Sequence, residues 1–263
     1  MPSSHPTAPS SAAPSSVAEP PTPPPFVALV DRLRERCAAA GFDLVQPLAV
    51  GWYNGVVQGA LRLDDWGSPG HLAVVVGNSR ALWPVFLDAL ARDAQLAAAR
   101  DPLDTYCERE LSHATAQLGV RASVRFAHEG GERRVAMQRL AHAAGLAYLT
   151  ETHASVHPVY GPWVGLRAAI SIAIVGPSGP PPVVPHPCQG CAGRCLPAFE
   201  HALSTVDVTP SEANMQAHWQ AWLAWRDACP IGREHRYSDA QIRYHYLHDP
   251  VQLRAAIAKG SGP

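Results

Sequence analysis

The chain has 263 residues, and its 21 basic and 22 acidic side chains leave a formal net charge of −1. That balance gives no electrostatic footprint for nucleic acid, and no stretch approaches the apolar length of a membrane span. Six cysteines in a chain without a signal peptide point to thiol or metal chemistry rather than a disulfide framework, so a soluble cytoplasmic protein is expected. Residues 1–25 are mostly Pro, Ser, Ala and Thr and are expected as a disordered tail. They hold neither the arginines nor the apolar run of a targeting leader.

Phe26 to Ala40 reads as an amphipathic helix, with Phe26, Val30, Leu33 and Cys37 at helical spacing and Gly41 as its stop. Phe42 to Val50 reads as a strand running into a turn, Gly51-Trp52-Tyr53-Asn54-Gly55, whose aromatics either contact a ligand or cap the core. His71 to Gly77 has the composition of a buried strand. A helix is predicted over Asn78 to Ala99, with Pro84 tolerated near its start. The next helix runs from Asp101-Pro102 to about Leu118, with Asp101 as cap and Pro102 at the first position. Val120 to Ala127 alternates as a half-solvated strand, and Arg134 to Ala144 reads as a helix ending at Gly145. Leu146 to Glu151 is strand-like. The His153 and His157 pair falls outside helical context, which argues against metal binding there.

His157 to Pro177 is the richest stretch: a Gly/Pro-punctuated aromatic turn, then a buried strand from Ala168 to Val175. Arg167 stands at the mouth of that strand and requires an anionic partner, since a guanidinium stays protonated. With Tyr160 and Trp163 beside it, this corner is either a ligand pocket or a salt bridge next to an aromatic wall. Gly176 to Pro187 holds six prolines and reads as a stiff exposed linker to a separate final segment. There, Thr209-Pro210-Ser211-Glu212 forms a capping box for a helix carrying Met215, Trp219, Trp222 and Trp225, and Ser238 to Gln241 forms a second. The resulting division is a tail over 1–25, a core over 26–176, a linker over 177–187 and a cysteine-containing segment over 188–263.

Cys188, Cys191 and Cys195 stand two and three residues apart in a Gly-containing run, and Cys229 precedes Pro230. Three clustered cysteines plus a remote Cys-Pro match the ligand demand of one [4Fe–4S] centre. Four thiolates equally suit structural zinc, and the set is also consistent with no metal at all.

Seven colinear pieces then add up to a recognisable pattern: Gly41-Phe42-Asp43 with Val50-Gly51-Trp52-Tyr53-Asn54; Leu72 to Val76; Asp101 to Asp104; Ala141 to Tyr148; His157-Pro158 with Gly161, Trp163 and Arg167; Trp225 to Ala228; and Arg236 to Ser238. From about Phe26 to Ile257 the chain resembles the CblC-type cobalamin-processing proteins, known in animals as the methylmalonic aciduria and homocystinuria type C protein. The resemblance implies an α+β, modified nitroreductase-like fold with an antiparallel sheet and packed helices. It also implies a cavity for base-off cobalamin, and removal of the upper axial ligand by reductive decyanation or thiol-dependent dealkylation. Electrons would come from a reduced flavin (FMN or FAD, with a flavin reductase as partner), from glutathione, or from a bound cluster.

Under the resemblance His142 matches the family's pocket histidine, and Arg167 and Arg226 match two arginines that contact glutathione. A third arginine falls near Leu253, with Arg254 one place off. Trp52, Tyr148, Tyr160 and Trp163, with Gly161, are expected to wall the cofactor cavity. The cysteine segment looks more like that of epoxyqueuosine reductases and reductive dehalogenases. A non-catalytic cobalamin carrier and a flavin-dependent nitroreductase-like enzyme are the alternatives.

Overall fold

A computed structural model describes residues 25–191, 193, 195–206 and 212–260. At its centre lies a four-stranded sheet in the order β1-β2-β6-β3, in which every neighbouring pair is antiparallel. The strands are β1 (Leu44–Ala49), β2 (His71–Asn78), β3 (Ala122–Phe126) and β6 (Gly165–Val175). β4 (Tyr148–Leu149) and β5 (Ser155–Val156) form a separate two-residue ladder. Pro47 lies in β1, at the sheet edge, where a missing N–H costs no internal ladder bond.

The two central strands are apolar on both faces, and their alternation sorts side chains into two cores. Leu72, Val74 and Val76 of β2, with Ala168, Ile170 and Ile172 of β6, pack under α1 (Pro25–Ala39), α3 (Leu82–Arg92) and α5 (Pro102–Ala116). The same core takes Tyr244 of α10 (Asp239–Leu247) and Leu253 and Ala256 of α11 (Pro250–Gly260). On the opposite face, Ala73, Val75 and Ala169 meet α2 (Val50–Asn54) and α6 (Met137–Ala143). The molecule is therefore a mixed α+β sandwich with helices on both sides of an antiparallel sheet, in line with the expected fold class. No helix among the described residues is long and apolar enough to cross a membrane.

Several local expectations need correction. The turn expected over 51–55 is the short helix α2, in which Trp52 is 47% exposed and Tyr53 is fully buried. Asn54 is buried too, and its side chain clamps Leu63 through both that residue's N–H and carbonyl at 2.9 Å. The single helix expected over 78–99 is two. Asn78 closes β2, and Asp93 ends α3 and caps α4 (Ala94–Ala97) by accepting from the Gln95 and Leu96 N–H groups at 3.0 Å.

α6 begins at Met137 rather than Arg134, since the Ala136 N–H is taken by the Tyr53 hydroxyl at 3.0 Å. The tryptophan-bearing helix is broken at His218 into α8 (Glu212–Ala217) and α9 (Trp219–Asp227). Its expected capping box at Thr209 to Ser211 lies outside the described residues. Ser238 does cap α10, accepting from Gln241 N–H at 3.2 Å. The Pro-rich stretch packs on the fold at Gly145 (φ +72°), where a Cβ would lie only 2.1 Å from the Pro182 carbonyl oxygen.

Candidate active site

A cavity of about 510 Å³, open on one side, lies where the second core meets the C-terminal segment. That volume is in the usual range for small-molecule sites. Its walls come from the start of α6 (Val135, Met137), the 150–156 stretch, the Pro162 to Leu166 stretch entering β6, and the C-terminal segment. The C-terminal wall holds Trp225, Arg226, Ile231 and Tyr246 together with Cys188, Cys191, Cys195 and Cys229. Ser155 adds a buried hydroxyl on this wall that has no hydrogen-bond partner among the described residues, a polar anchor in otherwise mixed lining.

Two glycines build the junction. Gly161 has φ +57°, and a Cβ there would sit 1.9 Å from the Ile231 carbonyl oxygen. Gly232 has φ +68°, and its Cβ would sit 2.2 Å from the Tyr160 carbonyl carbon. Only residues without a side chain let these two backbones touch. This back-to-back contact fixes Cys229, Pro230 and Ile231 against the aromatic turn, and so closes one end of the cavity.

Arg226, near the end of α9, crosses the same junction. Its Nε and Nη2 donate to the Pro162 carbonyl at 2.9 and 2.7 Å, and Nη2 also donates to the Val164 carbonyl at 3.3 Å. The guanidinium lies over the rings of Trp163 (4.6 Å) and Tyr237 (4.9 Å). No carboxylate among the described residues forms an ion pair with it, and carbonyl dipoles and aromatic π faces surround the cation on the cavity wall.

Arg167 is placed differently. β6 gains one residue against β2 there, since Val76 pairs with Ala168 and Gly77 with Leu166. The bulge re-aims Arg167 away from the cavity, and its Nε donates to the buried Asn78 Oδ1 at 2.7 Å. Gly165 makes room for it, because a Cβ would stand 2.8 Å from Arg167 Nη2. Arg167 also has no carboxylate partner among the described residues. The two arginines still act on common neighbours. Burial raises the Tyr237 hydroxyl above its ordinary value, with both guanidiniums pulling it back. Burial, then the charges of Arg167, Arg226 and His248, hold His245 well below the usual imidazole range.

The sign of the His245 effect gives a testable consequence. Its folded value is depressed, so the stability it contributes is present above the unfolded value of about 6.5 and is lost as pH falls below it. His157, lowered chiefly by burial, adds in the same direction. The melting temperature is expected to drop between pH 7.5 and 5.5, and His245→Gln to reduce that drop. Equal drops in both proteins would show that His245 is not responsible.

The other expected site residues are scattered. Trp163 is buried in a small core with Tyr237 and Ile242. Tyr160 packs between His157 and His235, each with ring centroids at 4.8 Å. Tyr148 stacks on His186 (4.4 Å) and meets His142 edge-on (5.2 Å). His142 is exposed, and its Nδ1 accepts from the Leu149 N–H at 3.2 Å. None of Trp52, His142, Tyr148, Tyr160, Gly161 and Trp163 lines the 510 Å³ cavity. The four aromatic rings therefore do not form the continuous wall that was expected. Gly161 and Trp163 act one layer back, behind the wall residues Ile231 and Arg226.

All four cysteines of the expected metal set do line the cavity. Partial burial and the neighbouring thiols raise Cys188, and burial raises Cys229, so these groups are neutral thiols rather than ready nucleophiles. The Gly193 N–H donates to Cys191 Sγ at 3.2 Å. A Cβ on Gly193 would fall 3.0 Å from that sulfur and 3.2 Å from Pro230 Cδ, so the two cysteine-bearing segments are packed against each other. Among the described residues no group of three or more His, Cys, Asp or Glu side chains is arranged to hold a metal ion. Cys37 and Cys107 are separate core thiols, each pushed by burial to about 12.

These features can be set beside known proteins. No protein-family model matches the chain. The solved structure of a B12-trafficking protein CblC from C. elegans superposes with a TM-score of 0.65 over 88% of this chain and 96% of that one, at 16% identity. The chain has the CblC fold. Among curated proteins, the human cyanocobalamin reductase / alkylcobalamin dealkylase is 23% identical over 252 residues, covering 89% of this chain and 82% of that protein. The protein of the same name from Danio rerio is 25% identical over 255 residues, covering 87% and 92%. The CblC-type resemblance therefore extends over nearly the whole of both chains, C-terminal segment included.

Proposed function

We propose that this chain is an enzyme that binds cobalamin at the 510 Å³ cavity and removes its upper axial ligand. The observation that carries the reading is the coincidence of a CblC fold with similarity, over most of both chains, to proteins named for cobalamin reduction and dealkylation. An open, mixed-polarity cavity with two arginines in its wall, Arg134 and Arg226, supports it: a corrin presents an apolar rim and amide arms, and asks for few polar anchors. The core over 26–176 and the segment over 188–263 both supply lining, which supports a C-terminal part that completes the pocket.

In dealkylation a thiolate attacks the alkyl carbon, an S–C bond forms, and the Co–C electron pair remains on cobalt. Glutathione is the co-substrate that fits this chain's arginines, its carboxylates matching the fork of Arg226 or Arg167. In decyanation a reduced flavin, delivered by a reductase partner, supplies the electron and cyanide departs. A cytoplasmic location goes with both thiol and flavin supply. Cyanocobalamin incubated with the protein and reduced FMN is expected to release free cyanide. A carrier would shift the corrin spectrum and keep the ligand. A flavin-dependent nitroreductase would purify yellow and leave the corrin untouched.

Cys188, Cys191, Cys195 and Cys229 would hold the second group in this reading. Four thiolates suit structural zinc as well as a [4Fe–4S] cluster. The Gly193 N–H to Cys191 Sγ contact supports the cluster, since such clusters are tuned by hydrogen bonds to sulfur. A bound cluster would supply single electrons at the cavity wall. Anaerobically purified protein is then expected to be brown, and Cys191→Ser to bleach it. Colourless protein carrying zinc would exclude the cluster.

A further inference from the structure

Arg167 is tethered by an amide at a position where a part-buried cation would ordinarily meet a carboxylate. Its Nε donates to Asn78 Oδ1 at 2.7 Å, and neither Nη group has a hydrogen bond or ion pair among the described residues. Asn78 closes β2 and is fully buried. Its Nδ2 donates to the Ser79 carbonyl at 2.7 Å, so the amide has one orientation: flipped, it would set N–H against guanidinium and oxygen against oxygen. Ser79 is fixed in turn by the Asp43 carboxylate, which accepts from the Ser79 N–H at 2.7 Å and from its hydroxyl at 2.6 Å. Gly165, opposite Asn78 in the ladder, lies against the pair. A Cβ there would stand 2.8 Å from Arg167 Nη2 and 2.9 Å from Asn78 Oδ1.

The neighbouring carboxylates are engaged elsewhere. Asp43 holds Ser79, Asp227 pairs with Arg236 at 2.8 Å, and Asp104 lies 3.3 Å from His128 Nδ1. Burial raises the Asp104 carboxyl, with His128 and Arg167 among the charges that pull it back. Arg167 from β6 and Arg226 from α9 act on the same two buried rings, Tyr237 and His245. An amide suits this place. It orients the guanidinium by a charge-assisted hydrogen bond and leaves the charge standing, whereas an aspartate would cancel it.

We infer that Asn78 is a positioning residue for the thiol-dependent reaction: it aims Arg167 while leaving the cation's charge and Nη groups to the carboxylate of the thiol co-substrate. This rests on the dealkylation reading given above. It adds a selection rule, that thiols carrying a carboxylate are favoured over neutral thiols of like size. Asn78 itself lies outside the cavity lining and takes no part in holding the corrin.

The test is Asn78→Asp, close in shape and anionic, assayed on methylcobalamin with mercaptopropionate and with mercaptoethanol, small thiols with and without a carboxylate. For mercaptopropionate kcat/KM is expected to fall about tenfold or more, the scale of a lost charge-assisted hydrogen bond, with the loss in KM. For mercaptoethanol kcat/KM is expected to stay unchanged, as is cyanide release by reduced FMN, which also shows that the variant folds. Asn78→Ala, which loosens Arg167 and adds no charge, is expected to lose less of the same preference. Equal changes with both thiols, or none with either, would overturn the role. If the unmutated protein leaves methylcobalamin intact, the dealkylation reading fails by itself, and calorimetric titration with glutathione decides Asn78. Binding weakened by Asn78→Asp keeps the carboxylate site; no binding, or equal binding, removes it.

Discussion

Gly161→Ala is expected to cost about 3 kcal/mol or more, from left-handed backbone strain and overpacking together, and to lower the melting temperature by roughly 10 °C. Both causes are local. The residue sits at φ +57°, and its new Cβ would lie 1.9 Å from the Ile231 carbonyl oxygen, a contact with rigid backbone that no rotamer relieves. Gly119→Ala is the matched control, because Gly119 has φ +70° and nothing within 4 Å of an added Cβ. It should show the strain alone, about 1 kcal/mol. The Gly161 variant should also lose ligand binding, since separating the 160–161 and 231–232 backbones displaces Cys229 and Ile231 from the cavity wall. Similar melting temperatures for the two variants would mean that the back-to-back contact does not hold the site together.

Arg226→Ala carries the second large effect. It removes three hydrogen bonds to the Pro162 and Val164 carbonyls and the cation over two aromatic faces, in a part-buried setting. The expected loss of stability is about 2–4 kcal/mol, on the scale of unpaired carbonyls and a desolvated cation–π contact. Thiol-dependent dealkylation should fall about a hundredfold if the guanidinium also receives the co-substrate carboxylate. Arg226→Lys separates the two roles. It keeps the charge and loses the fork, so KM for glutathione should recover in part while stability does not. If Arg167 receives the thiol's carboxylate, Arg167→Ala is expected to impair dealkylation; corrin binding is expected to change less, because Arg167 lies outside the cavity lining. An unchanged KM for the thiol in both alanine variants would leave Arg226 as a structural strut only.

Much of the frame was legible because it follows from period and punctuation. Leu72 to Val76 is apolar at every position and Ala168 to Ile172 at every position but Ser171, and both are central strands with a core on each face. Asp101-Pro102 and Ser238 start helices where their side chains cap. The failures came where a distant residue decides. α6 starts late because Tyr53, 83 residues earlier, takes the Ala136 N–H. Trp163 looked like a cavity wall, but Arg226 and Tyr237 cover it, which no local pattern encodes.

The site divided in the same way. The cysteines and Arg226 were visible from spacing and from the resemblance, and all of them line the cavity. Tyr246, Ile231, Ser155 and Arg134 were missed, since each is an ordinary residue until the fold brings its segment to the opening. Gly232 could have been found: a glycine two residues after Cys229-Pro230 marks a backbone that must pass close to something. The bulge at Arg167 had no sequence signal, yet it separates the two arginines that the resemblance had paired.

The most direct measurement is the anaerobic absorption spectrum of the pure protein titrated with methylcobalamin and then given glutathione. A saturable shift to the base-off corrin spectrum is expected at one equivalent. Loss of the cobalt–carbon band should follow, with S-methylglutathione appearing in equal amount. A spectrum that stays that of free methylcobalamin at every protein concentration would contradict it.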